Sequence, residues 1–310
     1  MRQIFFKTLK SKNFFSSNRI RPGVWINLED PTKEELEEIS NLTELLHEDI
    51  RDSNDLYEIP RLEKKNDKLM IFVRTPVLNG ANHTEDLYTK TLTIILSQKY
   101  FITISPCKNN IIHELIKENN NLATTQQSKL LLYILLRIAK EFTRKINDVS
   151  KQVSDQKLDL KNIGEGNISS LIQYEEIVNQ YLSALVPMEN VFSNLLSGEI
   201  IKQYKEDKDL YTDLLIDIRQ SVNICQVILK RIIGLRDSYQ IIFTNKLNKV
   251  IKFFTSFTII MTIPTIFASF YGMNVRLPFD DHPFAFWFVF LMTFACSFTV
   301  LFIFYRKKWL

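Results

Sequence analysis

The chain has 310 residues, with 39 Lys and Arg against 35 Asp and Glu, for a net charge of +4. That surplus is too small for a nucleic-acid binder, and no arginine-rich stripe interleaved with aromatics is present, which excludes that class. Cys107, Cys225 and Cys296 are odd in number, far apart and outside any CxxC. This excludes a disulfide framework or thiolate metal site and leaves them as small buried hydrophobes.

Met1 to Phe15 mixes lysines with phenylalanines and has no apolar h-region, so no secretory signal is expected and the bulk should be cytoplasmic. Residues 1–125 read as an α+β domain, a mixed sheet with flanking helices. Trp25 to Leu28 should be a strand. Asp30 should cap a helix, with Pro31 at its first position and Glu34 and Glu35 near the positive end of its dipole. Leu69 to Arg74, Leu87 to Leu96 and Tyr100 to Ser105 are rich in β-branched and aromatic residues, and Asn79-Gly80 supplies a turn.

Beyond Pro106, helical periodicity takes over. Helices are expected near 126–160, 167–197 and 199–271, with weak points at Gly164-Glu165-Gly166 and Gly198. The segments are then a helical hairpin over 126–198, a stalk over 199–252, a first span over 253–275, a loop over 276–282, a second span over 283–305 and a basic tail over 306–310. A helix over 199–271 would be about 100 Å long at ~1.5 Å per residue. It reads as a rod joining a cytoplasmic domain to a pore.

Phe253 to Val275 and Pro283 to Tyr305 carry no charge. Each matches the roughly 20 apolar residues of a spanning helix, and core helices of soluble proteins are rarely apolar all round. Lys246, Lys249 and Lys252 precede the first span, and Arg306, Lys307 and Lys308 follow the second. The loop offsets Arg276 with Asp280 and Asp281. By the positive-inside rule both termini are cytoplasmic and the loop is outside. Tyr271, Trp287, Tyr305 and Trp309 suit interfacial anchors.

Asn248, Ile251, Thr255, Thr258, Thr262, Thr265 and Ser269 recur at spacings of three and four, so they share one helix face. Alcohols gain nothing from facing lipid. Around an axis they line water or bond across helices. A single hairpin cannot enclose a pore, so this requires several copies.

The stripe ends at Tyr271-Gly272-Met273-Asn274. This motif, a short loop, a second span and a terminal Lys307-Lys308-Trp309-Leu310 resemble the CorA magnesium transporters, as do Trp25 to Thr32 and Ile59-Pro60-Arg61-Leu62-Glu63. The resemblance implies a funnel-shaped homopentamer in the plasma membrane. Its pore positions fall on Asn248, Ile251, Phe254, Thr258, Thr262, Thr265, Ser269 and Asn274, with Phe254 rather than Thr255 as the narrow apolar point. It implies Mg²⁺ as both transported and regulatory ion. An Asn274 ring would receive the ion's water shell, with Gly272 letting the backbone turn and Tyr271 and Met273 bracing it. Asp280 and Asp281 would gather cations at the mouth. The family's regulatory carboxylate matches Asp213, with Asp217 one turn on. Its partner acid has no clear match in Asn79-Gly80-Ala81-Asn82, although Glu85 and Asp86 are near.

Rival readings are a zinc-transporting relative of the same fold and a membrane-anchored sensor or signalling protein. The zinc branch departs from Gly-Met-Asn, which this chain keeps, favouring magnesium with cobalt or nickel as further passengers. A mere anchor needs neither stripe nor motif. No enzyme is expected. His47, His83, His113 and His282 are dispersed, and no phosphate-cradling glycine loop occurs.

Overall fold

A computed structural model describes residues 1–11, 13–17, 19–65, 67–76, 89–118, 122–156, 165–197, 207–275, 283–307 and 309. The Asn79-Gly80 turn, Leu87, Glu85, Asp86, Gly164, Gly198, Arg276, Asp280 and Asp281 lie outside them. The chain forms two compact units, Met1–Gly234 and Leu235–Leu310.

The first unit is built on a seven-stranded sheet. Its strands are β1 (Arg2–Phe6), β2 (Phe15–Ser16), β3 (Trp25–Glu29), β4 (Arg61–Lys65), β5 (Lys68–Pro76), β6 (Thr89–Leu96) and β7 (Phe101–Ser105), ordered β2-β1-β3-β7-β6-β5-β4. Among the described residues only β3 and β7 pair in parallel, with Ile26 opposite Ile102. Strands β3 and β7 are buried at every residue, as is β5 from Leu69 onward. A sheet covered on both faces selects continuous apolar runs over alternation, which is why these strands stand out in the sequence.

One face packs Ile26, Leu28, Phe72, Ile95, Ile102 and Ile104 against Leu36, Ile39 and Ile50 of two helices, α1 (Lys33–Thr43) and α2 (His47–Arg51). The start of α1 corrects the expected cap. Thr32, not Asp30, is the N-cap: its hydroxyl accepts the Glu35 N–H at 3.3 Å, and Glu35 accepts the Thr32 N–H at 3.1 Å. This reciprocal capping box satisfies two helix-end donors at once. Asp30 instead takes a left-handed φ of 48° in the turn before it.

A short helix, α3 (Asn110–Lys117), follows β7 and is capped by Asn109. Then come α4 (Gln127–Gln156) and α5 (Glu165–Leu196), both of which contact β5. Thr124 ties the start of this helical layer to the sheet, its hydroxyl donating to the Gly23 carbonyl at 2.6 Å. Gly23 sits at φ 84°, where a side chain is strained.

Helix α6 (Lys208–Tyr271) is 64 residues long with Pro264 inside it. Its N-terminal part packs on α4 and α5. Ser221 Oγ lies 3.0 Å from Thr143 Oγ1 of α4, and Arg219 meets Glu189 of α5 at 2.9 Å, while α4 and α5 meet each other where Phe142 stands edge-on to Tyr181 at 5.7 Å. Helix α7 (Ala285–Arg306) follows in the second unit. Of the cysteines, all free, only Cys225 is buried. Cys107 is half-buried and Cys296 exposed, so the expectation of three buried thiols fails. Cys296 sits on α7, which buries no residue within the chain.

Candidate ion path

The stripe residues from Asn248 to Ser269 all lie on the one uninterrupted helix α6, so their three-four spacing does place them on one face. Asn248, Ile251, Phe254, Thr255, Thr258, Thr262, Thr265 and Ser269 are all exposed in the single chain. Ser256 is fully buried and donates to the Lys252 carbonyl at 2.7 Å.

The alcohols have a specific hydrogen-bond state. Thr258 donates to the Phe254 carbonyl at 2.9 Å, Thr262 to Thr258 at 2.8 Å, and Thr265 to Met261 at 3.2 Å. Each hydroxyl proton is therefore spent on the helix one turn back. What each oxygen still offers outward is lone pairs, so these positions act as acceptors.

The helix stops at Tyr271, and the motif begins there. Gly272 N–H donates to the Ala268 carbonyl at 3.0 Å and Met273 N–H to Phe270 at 3.3 Å. Gly272 does not use a left-handed φ. A Cβ at this position would lie 3.2 Å from the Ala268 carbonyl oxygen, so the residue is fitted by close approach to the helix end, not by a sharp turn. Asn274 is exposed in the bend that follows, outside the helical register of the stripe.

Asp213 and Asp217 lie one turn apart on α6 in the first unit, Asp213 exposed and Asp217 half-buried. Among the described residues no group of three or more His, Cys, Asp or Glu side chains gathers within the single chain. At the membrane-type end, Phe253 and Phe254 meet edge-on at 5.7 Å. Just past α7, Trp309 stacks on Phe304 of that helix at 5.3 Å.

The two apolar helices are not the core of this chain: 6% of the most apolar window of α6 is buried, and 0% of that of α7. Surface of that kind is stable only against lipid or other copies. A cavity of about 680 Å³ separates the helices, and Ile260, Pro264, Thr293 and Ser297 are among its lining residues. Sequence reading passed over this site, although a proline inside an otherwise unbroken apolar span was a signal for it.

The family description "CorA-like Mg2+ transporter protein" matches residues 23–306. The cobalt/magnesium transport protein CorA of Methanocaldococcus jannaschii is 24% identical over 298 residues, covering 93% of this chain and 91% of that protein. The magnesium transport protein CorA of Wolinella succinogenes is 24% identical over 307 residues, with the same shares of 93% and 91%. The complete structure of the Methanocaldococcus jannaschii CorA magnesium transporter superposes with a TM-score of 0.82 at 22% identity, covering 100% of this chain and 99% of that one. The chain belongs to the CorA-like Mg²⁺ transporter family, whose members are membrane transporters and not enzymes.

Proposed function

We propose that several copies of this chain assemble in the plasma membrane as a homopentamer and conduct hydrated Mg²⁺, and Co²⁺ with it, into the cytoplasm. The observation that carries this reading is the state of the α6 alcohols. Thr258, Thr262 and Thr265 have turned their protons into the helix and present oxygen lone pairs outward. Mg²⁺ holds its inner waters tenaciously, and those waters point their hydrogens away from the metal. A column of acceptors suits that outer surface, and no dehydration is needed.

The chemistry of each position follows. Asn248, Thr258, Thr262, Thr265 and Ser269 supply neutral oxygens along the path, and Asn274 with Gly272 and Met273 forms the selective mouth. Neutral acceptors bind weakly enough for the ion to leave. Ile251 and Phe254 supply an apolar ring that closes by dewetting. Asp280 and Asp281 raise the local cation concentration outside, and Asp213 with Asp217 binds regulatory Mg²⁺ between subunits to favour the closed state.

The driving force is the membrane potential. One elementary charge gains about 2.3 kcal/mol per 100 mV, and a divalent ion about twice that, with both termini on the inner, negative side. The relatives named as cobalt/magnesium and magnesium transport proteins support this choice of ions.

The test is Mg²⁺ influx into proteoliposomes under an imposed inside-negative potential. Wild type should show flux that rises with potential. Asn274→Ala should abolish it, and Thr262→Val should reduce it severalfold. Potential-independent flux, or an Asn274→Ala protein that conducts like wild type, would overturn the reading.

A further inference from the structure

Helix α6 carries a second row of residues beside the alcohols. Lys246, Lys249, Phe253, Phe257, Ile260 and Pro264 recur at spacings of three and four, so they share one face. At about 100° per residue that face points away from Thr258, Thr262 and Thr265. Ile260 and Pro264 line the cavity of about 680 Å³ between α6 and α7. The row therefore runs from two exposed lysines into an apolar groove.

The groove is open where the facing side chains are short: Pro264 and Ala268 on α6, Ala285, Thr293 and Ser297 on α7. It runs from Tyr271 and Ala285 at one end to Ile260 and Leu301 at the other. Beyond Leu301, α7 ends on the exposed Arg306, and the exposed Lys307 follows. Lys249 stands about as far from Tyr271 along α6 as Arg306 does from Ala285 along α7. At ~1.5 Å per residue this is about 32 Å, close to the ~30 Å of a hydrocarbon core. The basic side chains of both helices thus reach headgroup depth on the same side of the bilayer.

No Asp or Glu occurs between Ser238 and Val275, or between Ala285 and Leu310. In a symmetric assembly every copy brings the same cations to the same depth, and neither span supplies a side-chain carboxylate to meet them. A second copy can cover the groove but brings no anion to the lysines below it. An anionic head at this depth joined to a hydrocarbon tail satisfies both, and the leaflet supplies such molecules.

We propose that an anionic phospholipid occupies this site. Its phosphate lies on Lys246 and Lys249, and Arg306 and Lys307 add to the positive field there. One acyl chain passes Phe253 and Phe257 and enters the groove between Ile260 and Leu301. The lipid ties the two spans together on the side of α6 away from the alcohols. The site needs α6 and α7 to span a bilayer and is independent of which ion is carried.

The experiment places full-length protein in nanodiscs of phosphatidylcholine with graded phosphatidylglycerol and reads thermal unfolding. Wild type should gain several degrees in Tm, saturating at a low fraction of phosphatidylglycerol. A lysine near an anionic surface strengthens attachment roughly fivefold, so Lys246→Gln with Lys249→Gln should raise the half-saturating fraction about tenfold or more. In phosphatidylcholine alone that variant should match wild type, and Lys246→Arg with Lys249→Arg should respond as wild type does. Lys252→Gln removes a charge of similar depth but off the row, and should leave saturation near the wild-type value. Leu301→Trp fills the groove without changing charge and should also weaken the response. If it fails to fold, the lysine variants decide alone. A loss with Lys252→Gln equal to that of the double variant means diffuse surface charge and would overturn the site. So would a wild-type Tm indifferent to phosphatidylglycerol, or inorganic phosphate in phosphatidylcholine discs reproducing the full gain. An undiminished response in folded Leu301→Trp would take the acyl chain out of the groove.

Discussion

Trp25 donates its indole N–H to Thr103 Oγ1 at 2.8 Å, across the parallel pair of β3 and β7, and Thr103 passes its own proton to Asn27 Oδ1 at 2.8 Å. All three residues are fully buried. Thr103 is thus both acceptor and donor, and it fixes the pairing of β3 with β7. Thr103→Val keeps the shape but strands the indole N–H and the Asn27 oxygen. At about 1–3 kcal/mol for each of the two stranded groups, a loss of roughly 2–6 kcal/mol is expected. Chemical denaturation followed by far-UV circular dichroism checks it.

Arg61 gathers three acids. It meets Glu63 at 2.5 Å and Asp52 at 2.8 Å, contacts Glu58, and lies 4.1 Å over the Phe72 ring. Burial alone would raise the Glu63 carboxyl. The hydrogen bonds and charges of Arg61 and Lys65 outweigh it and hold Glu63 below its ordinary value. A depressed folded pKa gives stability that is complete above the unfolded value of about 4.3 and is lost as pH falls through the folded one. Glu63→Gln should therefore be less stable at pH 7 and show a flatter acid limb. An acid limb identical to wild type would exclude Glu63 as a contributor.

Burial pushes the Cys225 thiol up to about 12. At pH 8 its thiolate is then on the order of one part in ten thousand, and the thiolate is the nucleophile. Brief maleimide treatment of folded protein at pH 8 should modify the half-buried Cys107 and spare Cys225. Unfolding in denaturant should expose Cys225 to reaction. Mass mapping of the labelled peptides distinguishes the two.

If Asp213 holds regulatory Mg²⁺, Asp213→Asn should shift the internal Mg²⁺ that halves flux upward by about tenfold, the loss of roughly 1.4 kcal/mol of binding. Asp217, half-buried one turn on, should shift it less when replaced by Asn. The measurement is flux into vesicles loaded with graded Mg²⁺. Closure unchanged in both variants would take these residues out of gating.

Legibility in the sequence followed solvent exposure. Strands β3, β5 and β7 were readable because both faces are covered, which demands apolar runs. Strand β4 was missed because Arg61, Glu63, Lys64 and Lys65 give it the charged texture of a loop, whereas it is an edge strand paired with β5. The α1 cap was misassigned to Asp30 because both it and Thr32 are capping residues, and only side-chain geometry separates them. The alcohol stripe was readable from spacing alone. The bend at Asn274 was not, since spacing says nothing once the chain leaves the helix.

The sequence by itself determined the two apolar spans, the shared face of the threonines and serine, and the order of sheet before helices. These depend on periodicity and on the length of uncharged runs, which are properties of neighbours along the chain. Tertiary structure alone decided the parallel pairing of β3 with β7, the acid cluster on Arg61, and the lining of one cavity by residues of both α6 and α7. Those depend on contacts between segments far apart in the chain, where burial decides which polar groups find partners and which are left without.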